Sequence, residues 1–159
     1  MKGADFMSSH YQNILIASDG SPEARRAFQE AVDLAKLMDA KLYIVHVVEE
    51  RNYDGLLEPA YYSDASQSAT MVQAGAKKSL TKLKETAEAQ GLKDVTILQP
   101  EGNAKELIAS ELPMKLDIDL IVIGATGRSR TERLLLGSVS DYIIRKAKTQ
   151  VLVVRDKAY

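Results

Sequence analysis

The sequence predicts an α/β fold: an open, doubly wound sheet of five parallel strands with helices on both faces. Three observations carry that expectation. Five short apolar runs alternate with segments of helical periodicity along the 159 residues. The runs are rich in β-branched residues and apolar on both sides, as strands covered on both faces must be. Each pair of runs is separated by a stretch long enough for a crossover, and parallel crossovers are right-handed, which leaves few other arrangements.

The first run, Asn13 to Ala17, stops at Ser18-Asp19-Gly20-Ser21-Pro22 and reads as a buried strand closed by turn residues. Ser21 followed by Pro22 is a helix start, a capping hydroxyl and then a proline at the first helical position. Ala24, Ala27, Phe28, Ala31, Ala35 and Met38 give that helix one apolar face. Lys41 to Val48 is the second strand. Glu49 to about Asp64 breaks the pattern with Gly55, Pro59 and Tyr53, Tyr61 and Tyr62, and reads as a mobile loop. A long helix follows, with Ala69, Val72, Ala76, Leu80, Leu83 and Ala87 on one face and Gly91 at its C-terminal end. Val95 to Leu98 is the third strand. Asn103 with Glu106 resembles a capping box and opens a short helix towards Leu112. Asp119 to Ile123 is the fourth strand, and Gly124 to Gly137 a glycine-punctuated loop. Val139, Ile143 and Ala147 mark the last helix, and Gln150 to Val154 the fifth strand.

Length and composition agree with one such unit. Residues 11–159 are expected to form a single domain after an N-terminal tail at 1–10. Apolar residues make up 45% and charged residues 27%, a globular mix, and the net charge of −1 gives no global attraction to nucleic acid. No run approaches the roughly 18 apolar residues that would span a membrane. The opening Met1 to Met7 lacks the pattern of a secretory signal. With no cysteine there is no disulfide, thiolate metal site or cysteine nucleophile, which fits a cytoplasmic protein. His10 and His46 are the only histidines, too few for a multi-histidine metal cage.

The chemistry concentrates in Gly124 to Ser140. A polyphosphate needs converging backbone N–H groups, small residues that let the chain approach, and a helix N-terminus aimed at the charge. Gly124 and Gly127 follow a strand end; Gly137, Ser138, Val139 and Ser140 begin the last helix; Arg128, Arg130 and Arg133 add positive charge between them. Each feature alone is commonly a turn or a cap. Together, at both ends of one strand–loop–helix unit, they predict a phosphate site.

Gly124, two residues, Gly127, nine residues and then Gly137-Ser138 resembles the nucleotide-binding signature of the universal stress protein family. The likeness extends along the domain: Asn13 to Ser21 resembles the family's opening strand and aspartate turn, Ile44 to Val48 its second strand, and Asp119 to Gly124 and Thr149 to Val154 its last two. The resemblance implies a Rossmann-like sheet of the adenine-nucleotide-binding type and membership of the ATP-binding subgroup. It assigns Gly124, Gly127, Gly137, Ser138, Val139 and Ser140 to phosphates and ribose, and Asp19 and Val47 to the adenosine end, with Val47 offering its backbone to adenine. Ala17, Ser18, Thr126 and Arg128 complete the expected site, and Mg²⁺ or Mn²⁺ would be held by the phosphates rather than by protein ligands. Many members carry proline where Ala17 stands, so this strand end is less rigid here. The family also implies a homodimer paired through Val151, Leu152, Val153 and Val154, and an apolar edge strand invites such pairing.

Asp19 can bond ribose or adenine, hold a water on a phosphate-bound Mg²⁺, or make a turn with its own backbone. Its place at a strand's carboxyl end favours a ligand role. His46, inside an apolar strand, is read as a core residue, and the two histidines assemble no catalytic triad. Tyr53, Tyr61 and Tyr62 can cover the base, make a subunit contact or simply decorate a surface loop.

Two function classes compete. One is a nucleotide-dependent regulatory protein in which ATP changes the conformation or oligomeric state and thereby acts on protein partners. The other is a slow ATPase or nucleotide-transferring enzyme. The absence of a Gly-x-x-x-x-Gly-Lys-Ser/Thr loop and of an evident general base favours the first. No catalytic residue is assigned. A phosphorylation receiver is disfavoured by Leu98-Gln99-Pro100 where its aspartate would stand, and a flavodoxin by the short Asp19-Gly20-Ser21 turn.

Overall fold

The computed structural model describes residues 11–49, 62–126 and 136–155, with side chains from residue 70 onward in the second stretch. The expectations for the tail at 1–10, for Tyr53, Tyr61 and the Tyr62 side chain, and for Gly127, Arg128, Arg130 and Arg133 fall outside these residues. Five strands form one parallel sheet: β1 (Asn13–Ala17), β2 (Lys41–Val45), β3 (Val95–Leu98), β4 (Leu120–Gly124) and β5 (Gln150–Val154). Their spatial order is β3-β2-β1-β4-β5. The chain therefore winds outward from β1 in one direction through β3, then restarts on the other side of β1 with β4. The order reverses between β1 and β4, where a doubly wound sheet opens a crevice beyond its carboxyl ends.

Strand alternation sends side chains to both faces, and both are covered. Ile14, Ile16, Leu42, Ile44, Leu120 and Val122 pack under α1 (Pro22–Met38) and α2 (Tyr62–Ala89). Leu15, Tyr43, Val45, Ile121 and Ile123 pack under a composite helix and under α5 (Ser138–Lys146). The composite helix consists of α3 (Ala104–Glu106), a π turn (Leu107–Glu111) and α4 (Leu112–Leu116). No helix among the described residues is long and apolar enough to cross a membrane.

Ser21 caps α1 as the sequence suggests: its hydroxyl accepts from Ala24 N–H at 3.1 Å, with proline in the first turn. Asn103 caps α3 by accepting from Lys105 N–H at 3.0 Å. Past Leu112 the structure departs from the sequence expectation, because the helix runs on through Pro113 to Leu116. Proline has no N–H to offer Ala109, and its ring would crowd that carbonyl in a regular α turn. The helix widens instead: Leu112 N–H reaches back five residues to the Leu107 carbonyl, and the π turn accommodates the ring. The second strand also ends earlier than expected, at Val45 rather than Val48. Beyond Val45 the backbone bonds continue on the β3 side, where Val48 and Glu101 form an isolated parallel bridge.

Candidate functional site

The ends of β1 and β4 meet at the reversal. Ile16 pairs with Val122, which sets Ser18 and Asp19 beside Gly124 and its followers. Asp19 turns the chain into α1: its Oδ1 accepts from Ser21 N–H at 2.9 Å, and Gly20 between them has φ +79°. This is the aspartate turn that the sequence left as one alternative, and it occupies one of the two carboxylate oxygens. Ala17, Ser18 and Asp19 are all half-buried.

Gly124 is held on two sides. A Cβ placed on it would stand 3.0 Å from Glu23 Cβ and 3.1 Å from Glu23 C, so the first turn of α1 leans directly on this strand end. Its carbonyl accepts from Ser140 Oγ at 2.8 Å. The next residue continues the stitching: Ala125 N–H donates to Val154 O, and Gly137 N–H donates to Ala125 O, each at 2.9 Å. The Ser140–Gly124 and Gly137–Ala125 bonds fasten the start of α5 to the end of β4, and the Ala125–Val154 bond ties that end to β5. Gly137 and the Ser140 hydroxyl thus serve the protein's own backbone.

Gly137 is the N-cap of α5, with extended φ −65° and ψ 156°, and among the described residues no side chain caps this helix. Its carbonyl takes Asp141 N–H, the first intrahelical bond. The N–H groups of Ser138, Val139 and Ser140 are then the orphan donors that any helix leaves at its start. They carry the positive end of the helix dipole. Ser138 is exposed, Val139 half-buried and Ser140 buried, so the donors run from solvent inward. Such a terminus suits an anion.

On the far side of the β1 end lies Val47. His46 N–H donates to Leu98 O at 3.0 Å and Val48 N–H to Pro100 O at 2.9 Å, both towards β3. Extended backbone alternates, so the N–H and C=O of Val47 face the opposite way, to the side that β1 vacates after Ala17. A donor and an acceptor side by side at that place match the hydrogen-bonding edge of a planar base.

Asp19, Val47, Gly124, Thr126 and Gly137 to Ser140 therefore gather at one edge of the sheet, around the reversal. Of two nearby residues, Glu23 escaped the sequence reading, and His46, expected in the core, is half-buried. Glu23, 3% exposed in the first turn of α1, packs against Gly124; in the sequence it looks like an ordinary acidic residue at a helix start. His46 places Nδ1 2.9 Å from Ser18 O, a contact that no local pattern announces. Among the described residues no group of three or more His, Cys, Asp or Glu side chains is placed to hold a metal ion.

Comparisons with known proteins agree with the geometry. Residues 10–155 match the sequence profile of the Universal stress protein family. A protein of Staphylococcus aureus (strain USA300) named as a universal stress protein is 41% identical over 146 residues, 91% of this chain and 84% of that protein. Among solved structures, the universal stress protein UspA from Lactobacillus plantarum superposes with a TM-score of 0.82 at 30% identity, covering 92% of this chain and 99% of that one. A universal stress protein solved in complex with cAMP has a TM-score of 0.68 at 28% identity, over 92% of this chain and 98% of that one.

Proposed function

The chain belongs to the universal stress protein family, and on that footing we propose that it binds ATP at the β1/β4 reversal and works as a nucleotide-dependent regulatory protein in the cytoplasm. The observation that carries this is the start of α5. It is tied to the end of β4 by the Gly137–Ala125 and Ser140–Gly124 bonds, yet among the described residues no side chain caps it. The donors of Ser138, Val139 and Ser140 seat phosphate oxygens there. The backbone of Val47 takes the adenine edge, and Asp19 stands between for the ribose or base. Gly127, Arg128 and Thr126 belong to the same site on the strength of the glycine spacing. The donor set is backbone amides and hydroxyls, which fits a polyphosphate whose Mg²⁺ or Mn²⁺ is held by its own oxygens. The relative solved in complex with cAMP supports an adenine nucleotide as the ligand.

The test is direct. Freshly purified protein is denatured and removed, and the released small molecules are separated by ion exchange with mass detection. ATP or ADP near one per chain is the expected result; the ATP to ADP ratio reports any slow turnover. Protein that releases nothing and shows no heat on titration with ATP and Mg²⁺ overturns the nucleotide reading.

The regulatory part of the proposal includes a homodimer. β5 is one of the two sheet edges, and Val151, Leu152, Val153 and Val154 are each half-buried, so both faces of the strand remain partly open beside an outer backbone edge that no described strand pairs. A second copy pairing there covers apolar surface and ladder groups together. Light scattering at micromolar concentration is expected to give twice the chain mass of 17.5 kDa, and a monomer would overturn the dimer.

A further inference from the structure

The parallel ladder between β1 and β2 stops one bond early, and the His46 side chain is what replaces the missing bond. Ala17 pairs with Val45, and Ser18 N–H donates to Val45 O at 2.8 Å. In a regular parallel ladder a residue that donates to one partner accepts from the residue two further along. Ser18 O would next accept from Val47 N–H. Among the described residues that bond is not made. Ser18 O faces His46 Nδ1 at 2.9 Å instead.

We propose that His46 is a positioning residue: it occupies the Ser18 carbonyl and so releases the Val47 N–H to a ligand. Its acceptor is a carbonyl, so Nδ1 must carry the proton. A half-buried carbonyl needs a donor, and two compete for this one. When the imidazole wins, Val47 keeps both backbone groups for the crevice. The same bond links the neighbour of Val47 to the neighbour of Asp19, just where the two strands cease to pair. It sets the spacing between the two residues of the adenosine end. The inference deepens the nucleotide proposal and rests on it for the affinity measurement alone.

The experiment uses the full chain, ¹⁵N-labelled and free of nucleotide, in three forms: wild type, His46→Leu and His46→Asn. Leucine removes the donor, whereas the asparagine side chain places an amide nitrogen near the position of Nδ1. Hydrogen exchange at Val47 reads whether its N–H is bonded. Fast exchange is expected in wild type and in His46→Asn, and exchange about tenfold slower in His46→Leu, where Val47 closes on Ser18 O, the effect of one bond of about 1.4 kcal/mol. The imidazole ¹⁵N shifts of wild type are expected to place the neutral ring's proton on Nδ1. Calorimetry with ATP and Mg²⁺ is expected to show affinity about tenfold weaker in His46→Leu and within about twofold of wild type in His46→Asn.

A Val47 amide already protected in wild type, or unchanged in His46→Leu, overturns the proposal. So does a wild-type proton on Nε2. Should His46→Leu fail to fold, the wild-type tautomer and the Val47 exchange in wild type and His46→Asn decide the matter. Wild type that binds no ATP defeats the nucleotide proposal, while the exchange and tautomer results still judge the part played by His46.

Discussion

Replacing Ser138 by proline is expected to weaken ATP binding by at least about ten- to a hundredfold while leaving the protein folded, because the backbone N–H that it deletes makes a charge-assisted bond worth about 1.5–3 kcal/mol. The position tolerates proline for three reasons. It is the first residue of α5, whose N–H has no intrahelical acceptor to lose. Gly137 before it already has φ −65° and ψ 156°, the extended conformation that a following proline demands. Ser138 itself is exposed, so the ring displaces no core side chain. The substitution removes one N–H and one hydroxyl from the proposed phosphate seat and nothing from the packing. Ser138→Ala keeps the N–H and separates the two contributions. Calorimetry with ATP and Mg²⁺ reads the affinity, and thermal unfolding without nucleotide is expected to stay within about 2 °C of wild type, less than 1 kcal/mol for a domain of this size. Unchanged affinity in Ser138→Pro would move the phosphates away from α5.

Much of this arrangement is legible in the residues. Two-sided apolar runs such as Ile14-Leu15-Ile16 and Ile121-Val122-Ile123 encode strands covered on both faces, and their spacing encodes the crossovers. Ser21-Pro22 marks the start of α1 because capping and proline geometry act within four residues. Gly124 and Gly137-Ser138 draw attention to the edge of the sheet where the strand order reverses, because strand end, glycine and helix start coincide there. What escaped depends on bonds between distant parts of the chain or on a competition within a helix. The early end of β2 is one case: Val47 and Val48 have good strand character, but β1 turns away at Asp19 and His46 Nδ1 faces Ser18 O, 28 residues apart, where the ladder would continue. The run through Pro113 is another, since proline argues for a helix end and the π turn at Leu107–Glu111 circumvents it. A third is the commitment of the Ser140 hydroxyl to Gly124 O. From the sequence both serines of Gly137-Ser138-Val139-Ser140 look equally available to a ligand, whereas the structure uses one of them to hold the strand to the helix.

Gly124 is where fold and site are hardest to separate, and Gly124→Val is expected to reveal it as a packing position. The side-chain-free approach expected for a ligand is already taken by the protein. A Cβ there would lie 3.0 Å from Glu23 Cβ, 3.1 Å from Glu23 C and 3.3 Å from Ala24 N, and two of these three atoms are backbone in the first turn of α1. Backbone cannot swing aside as the end of a flexible side chain can. Valine adds two further methyl groups at the same spot. Either the start of α1 lifts off β4, straining the Ser21 cap, or the end of β4 moves and stretches the Ser140 to Gly124 bond. Overpacking of this kind costs about 3 kcal/mol, and thermal unfolding without nucleotide is expected to fall by about 10 °C for a domain of this length. ATP affinity falls with it, since both movements disturb the α5 start and the β1 turn together. Loss of binding in Gly124→Val therefore cannot by itself identify a ligand contact, whereas loss in Ser138→Pro at unchanged stability can. A Gly124→Val protein as stable as wild type would show that α1 yields at Glu23, and the glycine would then owe its place to the ligand side of the strand rather than to the helix behind it.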